Sequence, residues 1–246
     1  MDSRPLRRGL MVDQAGAVLI GDYRYNRGED RGREVRDAVS VHRSTDPLSG
    51  VWETAYRFEP GSVRHVHALH QDPCQAGRSW LCTGDMDDES RIYSSDDGYR
   101  TLQVFAEAGQ ISRATDLIFT DDHLYWGVDS PLREPGIVRK ARNGGQIEHL
   151  AYTLAPVYFG ARNEANHFFF STSVEPGPAV TSSHAEIVAS TDGEHFASVA
   201  SWRSDITPQQ AQIHFPCGVA PEDLVVFYCR ATLFWENSMV VARLCP

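Results

Sequence analysis

Lysine is almost missing: Lys140 stands alone among 23 basic residues, the other 22 being arginine. Against 33 acidic residues this gives a formal net charge of −10, and no run of Lys or Arg exceeds two residues. Nothing here suits a phosphate backbone, so no nucleic-acid partner is expected. The cysteines (Cys74, Cys82, Cys217, Cys229 and Cys245) are few, odd in number and never spaced CxxC. That excludes a disulfide scaffold and a zinc ribbon, and buried reduced thiols are expected. No stretch approaches the ~18–20 apolar residues of a membrane span, and no apolar leader follows Met1. The expectation is a protein with no membrane partner, placed in the cytoplasm. Helical periodicity is nearly absent as well, which excludes bundles and α/β folds.

What the chain has instead is many short β-branched and aromatic runs broken by Gly, Asp, Asn and Pro. Ala17-Val18-Leu19-Ile20-Gly21, His167-Phe168-Phe169-Phe170-Ser171 and Leu224-Val225-Val226-Phe227-Tyr228 are examples. Even spacing of such runs predicts a sandwich, a barrel or a propeller. Internal repetition selects the propeller. Ser94-Ser95-Asp96-Asp97-Gly98-Tyr99-Arg100-Thr101 returns with one residue fewer as Ser190-Thr191-Asp192-Gly193-Glu194-His195-Phe196, and with an insertion as Ser44-Thr45-Asp46-Pro47-Leu48-Ser49-Gly50-Val51-Trp52. The serines stand one and two periods of about fifty residues apart. The vacant slot between them holds Arg142-Asn143-Gly144-Gly145, a hairpin turn. In each turn the Asp carboxylate is placed to accept backbone N–H groups and the Gly to take positive φ.

These turns resemble the Asp box of sialidase-like (BNR-repeat) β-propellers. The resemblance implies that each box joins the third and fourth strands of a blade. On that rule the chain is a single all-β propeller domain, 1–246, with blades at approximately 7–58, 63–106, 114–153, 157–202 and 212–246. Five four-stranded units are visible, the last short of a strand. The same count fits a truncated six- or seven-bladed propeller, since such relatives usually have that many.

Blade topology sends the A→B and C→D turns to one face and the longer B→C loops to the other, where binding groups are expected. The starts of A strands bring Arg64, His65, Arg113 and Asp116 to that face. The ends of B strands and the loops beyond them bring Arg24, Tyr25, Asn26, Asp85, Glu89, Trp126, Asp129, Glu175 and Trp235. Carboxylates, arginines and aromatic rings together suit a sugar or another small polar ligand. His65, His67, Asp85, Glu89 and Asp129 are the candidates for chemistry; the others are candidates for holding the ligand.

Arg64-His65-Val66-His67 is the most unusual run, because strand alternation puts both imidazoles on one side. Together with Thr83-Gly84-Asp85-Met86-Asp87-Asp88-Glu89-Ser90 and Trp126-Gly127-Val128-Asp129-Ser130, it resembles a group of uncharacterised bacterial sialidase-like proteins, over roughly residues 9–150. The histidines have four readings: inert and hydrogen-bonded, general acid or base, ligands of a divalent metal with Asp85 or Asp129, or hydrogen-bond donors flanking a sugar. No cofactor is otherwise implied. Three functions follow: a glycoside hydrolase-like enzyme at the channel mouth, a His-dependent lyase of uronic-acid polysaccharides in which Arg64 or a metal neutralises the carboxylate, or a non-catalytic propeller that binds glycan or protein. The sialidase signature is incomplete, since Ser3-Arg4-Pro5-Leu6 only echoes the expected arginine element and no Tyr–Glu nucleophile pair is assigned.

Overall fold

The computed structural model describes residues 8–23 and 37–244. The chain divides into two compact units, Met1–Asp121 and Asp122–Pro246. In the first, β1 (Leu10–Val12), β2 (Val18–Gly21), β3 (Ser40–Ser44) and β4 (Glu53–Arg57) form one antiparallel sheet in chain order. The second sheet repeats the plan with β5 (His65–Gln71), β6 (Ser79–Gly84), β7 (Ile92–Ser95) and β8 (Gln103–Ala106). A short β9 (Ile118–Phe119) ends the unit.

The second unit opens with an antiparallel run of β10 (His123–Gly127), β11 (Gly136–Ala141) and β12 (Glu148–Tyr152). Next come β13 (Val157–Asn163), β14 (Phe168–Val174), β15 (His184–Ser190) and β16 (Ala197–Arg203), again in chain order. The last group is β17 (Ala211–His214), β18 (Val219–Ala220), β19 (Leu224–Arg230) and β20 (Met239–Arg243). In it β17, β19 and β20 pair in sequence, and no fourth antiparallel strand follows among the described residues. β18 was not expected from the sequence; it lies parallel to the end of β13.

All-β sheets of up-and-down strands, four to a blade, are the architecture of a β-propeller, and this is the fold of the chain. The runs Ala17–Gly21, His167–Ser171 and Leu224–Tyr228, expected as strands, fall on β2, β14 and β19. Burial explains their order. The strands β5 and β6 are enclosed over most of their length, while β4, β8 and β16, the last strands of their sheets, carry most of the exposed positions. Of the cysteines, Cys82 and Cys229 are buried as expected, but Cys74 and Cys217 lie at the surface between strands.

Two of the three repeated turns close through their Ser–Asp pair. Ser95 Oγ donates to Asp97 Oδ1 (2.9 Å) and accepts from the Tyr99 amide, while Asp97 accepts from the Thr101 amide (2.9 Å). In the later copy, Asp192 Oδ1 accepts the amides of Glu194 and His195, both at 2.8 Å. Gly98 and Gly193 take φ 72° and 73°, where a Cβ is strained. Tyr99 also adopts positive φ, so the turn consumes residues that an uninterrupted β8 would have used. The first copy differs. Its insertion folds as a 3-10 turn over Pro47–Ser49, and Ser44 Oγ donates to the Val51 carbonyl instead.

A close contact between neighbouring blades occurs once in each unit. A Cβ at Gly21, the last residue of β2, would lie 2.5 Å from Val66 Cγ1, and the Val66 amide donates to the Asp22 carbonyl (2.9 Å). In the second unit, Gly127 ends β10 against Val157, and the Val157 amide donates to the Val128 carbonyl (3.1 Å). Around the first contact, Met11, Leu19, Val41, Phe58, Val66, Leu81 and Tyr99 form one apolar core. Gly21→Ala is expected to destabilise by about 1–3 kcal/mol, the usual cost of overpacking. A thermal melt checks it; an unchanged Tm would mean the valine can retreat.

Behind this core sits a buried ionic strut. Arg8 donates through Nε to Asp116 Oδ2 (2.9 Å), and His70 Nε2 lies 3.4 Å from Asp116 Oδ1, in ionic range but outside hydrogen-bond geometry. Burial lowers the His70 pKa from its ordinary 6.5 to about 4, Asp116 opposing and Arg8 reinforcing the shift. The unfolded chain therefore takes up this proton first. Stability is full above about pH 6.5 and falls as the pH drops toward about 4. Denaturant melts across that window should show the loss, and His70→Gln should flatten it; an unchanged profile in the variant would refute the assignment.

Candidate active site

β5 and β6 carry the site. Register along this pair runs His65↔Gly84, Val66↔Thr83 and then Ala68↔Cys82, so His67 is the extra residue of a β-bulge. Bulges re-aim side chains, and this one leaves the His65 and His67 rings 4.8 Å apart with their Nε2 atoms at 2.9 Å. Gly84 makes room: a Cβ there would fall 2.8 Å from His67 Cε1 and 3.3 Å from Arg113 Cγ.

Immediately past β6, Asp85 gathers four cationic or imidazole groups. Its Oδ1 lies 3.1 Å from His67 Nε2 and 3.1 Å from an Arg113 terminal nitrogen. Oδ2 accepts from Arg64 at 2.7 Å and lies 3.3 Å from His65 Nε2. The Asp85 carbonyl accepts from Gln110 (2.8 Å) and Arg113 (3.2 Å). Burial alone would raise the Asp85 pKa, but hydrogen bonds from His65 and His67 and their charges hold it well below the carboxylate range. Burial lowers His65, with Asp85 opposing and His67 reinforcing, so its neutral form is favoured.

The tautomer of His67 follows from its other nitrogen. Nδ1 lies 3.1 Å from the Ala114 carbonyl, which only accepts, so Nδ1 carries the hydrogen. The other ring nitrogen, Nε2, faces His65 Nε2 at 2.9 Å and Asp85 Oδ1 at 3.1 Å. Tyr23 stacks on His65 at 4.1 Å. The histidines are enclosed, whereas Arg64 keeps 29% of its side-chain surface exposed.

Five of the expected residues thus meet: Arg64, His65, His67, Asp85 and Arg113. Glu89 plays a different part: wholly buried, it turns back so that Oε1 accepts the Asp85 and Met86 amides, shaping the loop that aims Asp85. Asp116, expected to bind the ligand, is instead buried in the strut with Arg8 and His70. Its Oδ1 faces inward because the Leu117 amide donates to it. Arg24, Tyr25 and Asn26 lie outside the described residues.

Asp129, Trp126, Glu175 and Trp235 belong to the second unit. Trp126, expected as a sugar platform, is wholly buried in β10, because both faces of that strand are enclosed from Leu124 onward. Asp129 is buried just beyond that strand, and Trp235 is 45% exposed on the turn before β20. Glu175 Oε2 accepts from Tyr158 (2.7 Å) and from Gln210 (3.0 Å). Gln210 continues through Gln212 to His214. Tyr158 occupies a bulge of β13, as His67 does in β5.

Tyr23, Gln110, Tyr158 and Gln210 were not singled out from the sequence. One signal existed. Gly21-Asp22, Gly84-Asp85 and Gly127-Val128-Asp129 recur where successive B strands end, and the residues packed on that turn are those that matter.

No protein-family model and no curated protein sequence matches the chain. Solved structures match in fold. A putative gluconolactonase superposes with TM-score 0.58 at 12% identity, over 100% of this chain and 80% of that one. A chain of the nidogen/laminin complex gives 0.57 at 13%, over 96% and 75%. An α-L-arabinofuranosidase of Fusarium graminearum gives 0.50 at 11%, over 96% and 81%. At these identities the likeness is one of fold, and it agrees with the propeller built above. Among the described residues no helix is long and apolar enough to cross a membrane.

Asp85→Ala removes the partner shared by Arg64, Arg113, His65 and His67. Uncompensated buried charge is expected to cost about 3–5 kcal/mol. Chemical denaturation measures this, and a loss under about 1 kcal/mol, the worth of a surface pair, would show that water replaces the carboxylate.

Proposed function

We propose that the chain is a carbohydrate-active β-propeller of the sialidase-like kind, and that its reaction is a histidine-dependent proton transfer on a carboxylated sugar. Support for the kinship lies in the two Ser–Asp turns, one period and three periods along the repeat, whose carboxylates accept the amides expected of an Asp box. One observation carries the chemistry: two imidazoles meet at 2.9 Å beside a carboxylate and two arginines.

Two-carboxylate hydrolysis fits this group less well. It needs a carboxylic acid that keeps its proton near neutrality, whereas Asp85 is held ionised and Glu89 is committed to its own loop. A neutral imidazole, by contrast, is a competent base. In a uronic-acid polymer, His65 or His67 would take the C5 proton. The electron pair left on C5 forms the C4–C5 double bond as the C4–O bond breaks, and the leaving oxygen regains a proton. Arg64 and Arg113 would stabilise the carboxylate as charge flows into it, because a guanidinium carries more N–H donors than Asp85 accepts.

A second reading rests on Tyr158 and Glu175. A phenol 2.7 Å from a carboxylate is the pair that a sialidase-type tyrosine nucleophile requires. It would make the protein a hydrolase centred in the second unit.

A turnover screen over neutral, uronic and sialylated glycans separates the readings. For the first, unsaturated products should form from uronic substrates, and His65→Ala or His67→Ala should lower kcat by about 10²–10⁴-fold, while Tyr158→Phe leaves it unchanged. Loss in Tyr158→Phe alone would establish the second reading. Equal activity in all the variants would defeat both.

A further inference from the structure

We propose that His65, His67 and Asp85 form a binding site for one divalent transition-metal ion of the zinc, cobalt and nickel class. It shares the residues of the proposed reaction but does not depend on that reaction, because occupancy is read without turnover.

The argument begins with ligand atoms. His65 Nε2, His67 Nε2 and a carboxylate oxygen of Asp85 all lie within 4.8 Å of one another. Two nitrogens each about 2.0–2.1 Å from one zinc ion stand roughly 3.3 Å apart in a tetrahedral site. The pair at 2.9 Å needs to open by only a few tenths of an ångström. Both rings sit on one strand, and the bulge at His67 sets their convergence, so the donors are in place before any ion arrives.

The surroundings fit as well. The hydrogen on Nδ1 of His67 is held by the Ala114 carbonyl at 3.1 Å. A carbonyl behind the far nitrogen is the usual support of a metal-bound histidine, because it fixes the tautomer and aims the lone pair. Tyr23 stacked on His65 fixes the second ring. Asp85 can ligate without losing its arginines, since each carboxylate oxygen offers two lone pairs. Without a cation these three groups must share protons at short range, whereas one ion satisfies all of them.

The same residues choose the metal. Calcium and magnesium take oxygen ligands and are held by accumulated negative charge. Here two of three ligands are imidazoles, and Arg64 and Arg113 at 2.7 and 3.1 Å offset the single carboxylate. Nitrogen-rich sites favour zinc, cobalt and nickel. The positions left by three protein ligands would go to water or to substrate oxygens.

The test uses the full chain, stripped with chelator and titrated with Co²⁺ while visible absorption is followed. Ion content after dialysis and Tm are measured alongside. One ion per chain, ligand-field bands, displacement by Zn²⁺, a raised Tm and no response to Ca²⁺ or Mg²⁺ are expected. His65→Asn and His67→Gln should each weaken binding at least tenfold, whereas His195→Ala, at an exposed histidine paired with Asp192, should not. Circular dichroism shows that each variant is folded; if one is not, the wild-type cobalt spectrum decides. Absence of a stoichiometric ion, or binding undiminished in folded His65→Asn and His67→Gln, overturns the proposal. Turnover by stripped protein with no ion bound would not rescue it, though the histidine-dependent reading would stand.

Discussion

The structure depends on how closely one blade's backbone can approach the next. At the end of β2, Gly21 leaves a space that Val66 fills, and Gly127 does the same for Val157 at the end of β10. A side chain there would meet a carbon at 2.5 Å or less. Each contact also carries a backbone hydrogen bond from the following A strand to the residue beyond the glycine. Such packing fixes the level at which the following A strand begins. It therefore fixes which residues stand at the ends of the strands, where side chains are free to do something other than pack.

The end of β6 shows what that freedom permits. Asp22, one residue after Gly21, uses its carboxylate to accept the Ser40 amide and to meet His42, both in its own blade. Asp85, one residue after Gly84, stands at the corresponding place, but Arg64, His65, His67 and Arg113 reach it. The difference lies in the neighbours. Where β5 brings histidines and the approach to β9 brings an arginine, the carboxylate becomes the centre of a charged group. A buried carboxylate survives only with such partners, so the cluster and the exposure of its rim are one design.

The fold was legible because it is written in two short-range signals. Runs such as Ala17–Gly21 and Phe168–Ser171 announce strands, and the Ser–Asp turns at Ser95 and Ser190 set the period. Both depend on neighbours in sequence. The chemistry depends on long-range contacts, and it was legible only in part. Arg64, His65 and His67 stood out as a run, and Asp85 as a strand end. Trp126 misled because an aromatic residue at a strand end reads alike whether it is enclosed or exposed. Asp116 misled because its partners, Arg8 and His70, lie 108 and 46 residues away. Tyr23 and Ala114 carry no motif; one matters for its ring and the other for its carbonyl.

The bulge at His67 makes this limit concrete. Strict alternation places His65 and His67 on one side of β5, as expected, but it leaves their rings at the spacing of alternate residues, roughly 7 Å. The extra residue brings the rings to 4.8 Å and their Nε2 atoms to 2.9 Å, and only at that range do the two nitrogens compete for one proton or one ion. An equivalent bulge in β13 delivers Tyr158 to Glu175. Between A and B strands the bulge thus occurs in two blades, each time setting an A-strand side chain against a carboxylate at the end of the B strand. The bulges between third and fourth strands, by contrast, are a regular feature of the blades. Regular pairing builds the blade, and the departures from it between A and B strands are where its chemistry is to be sought.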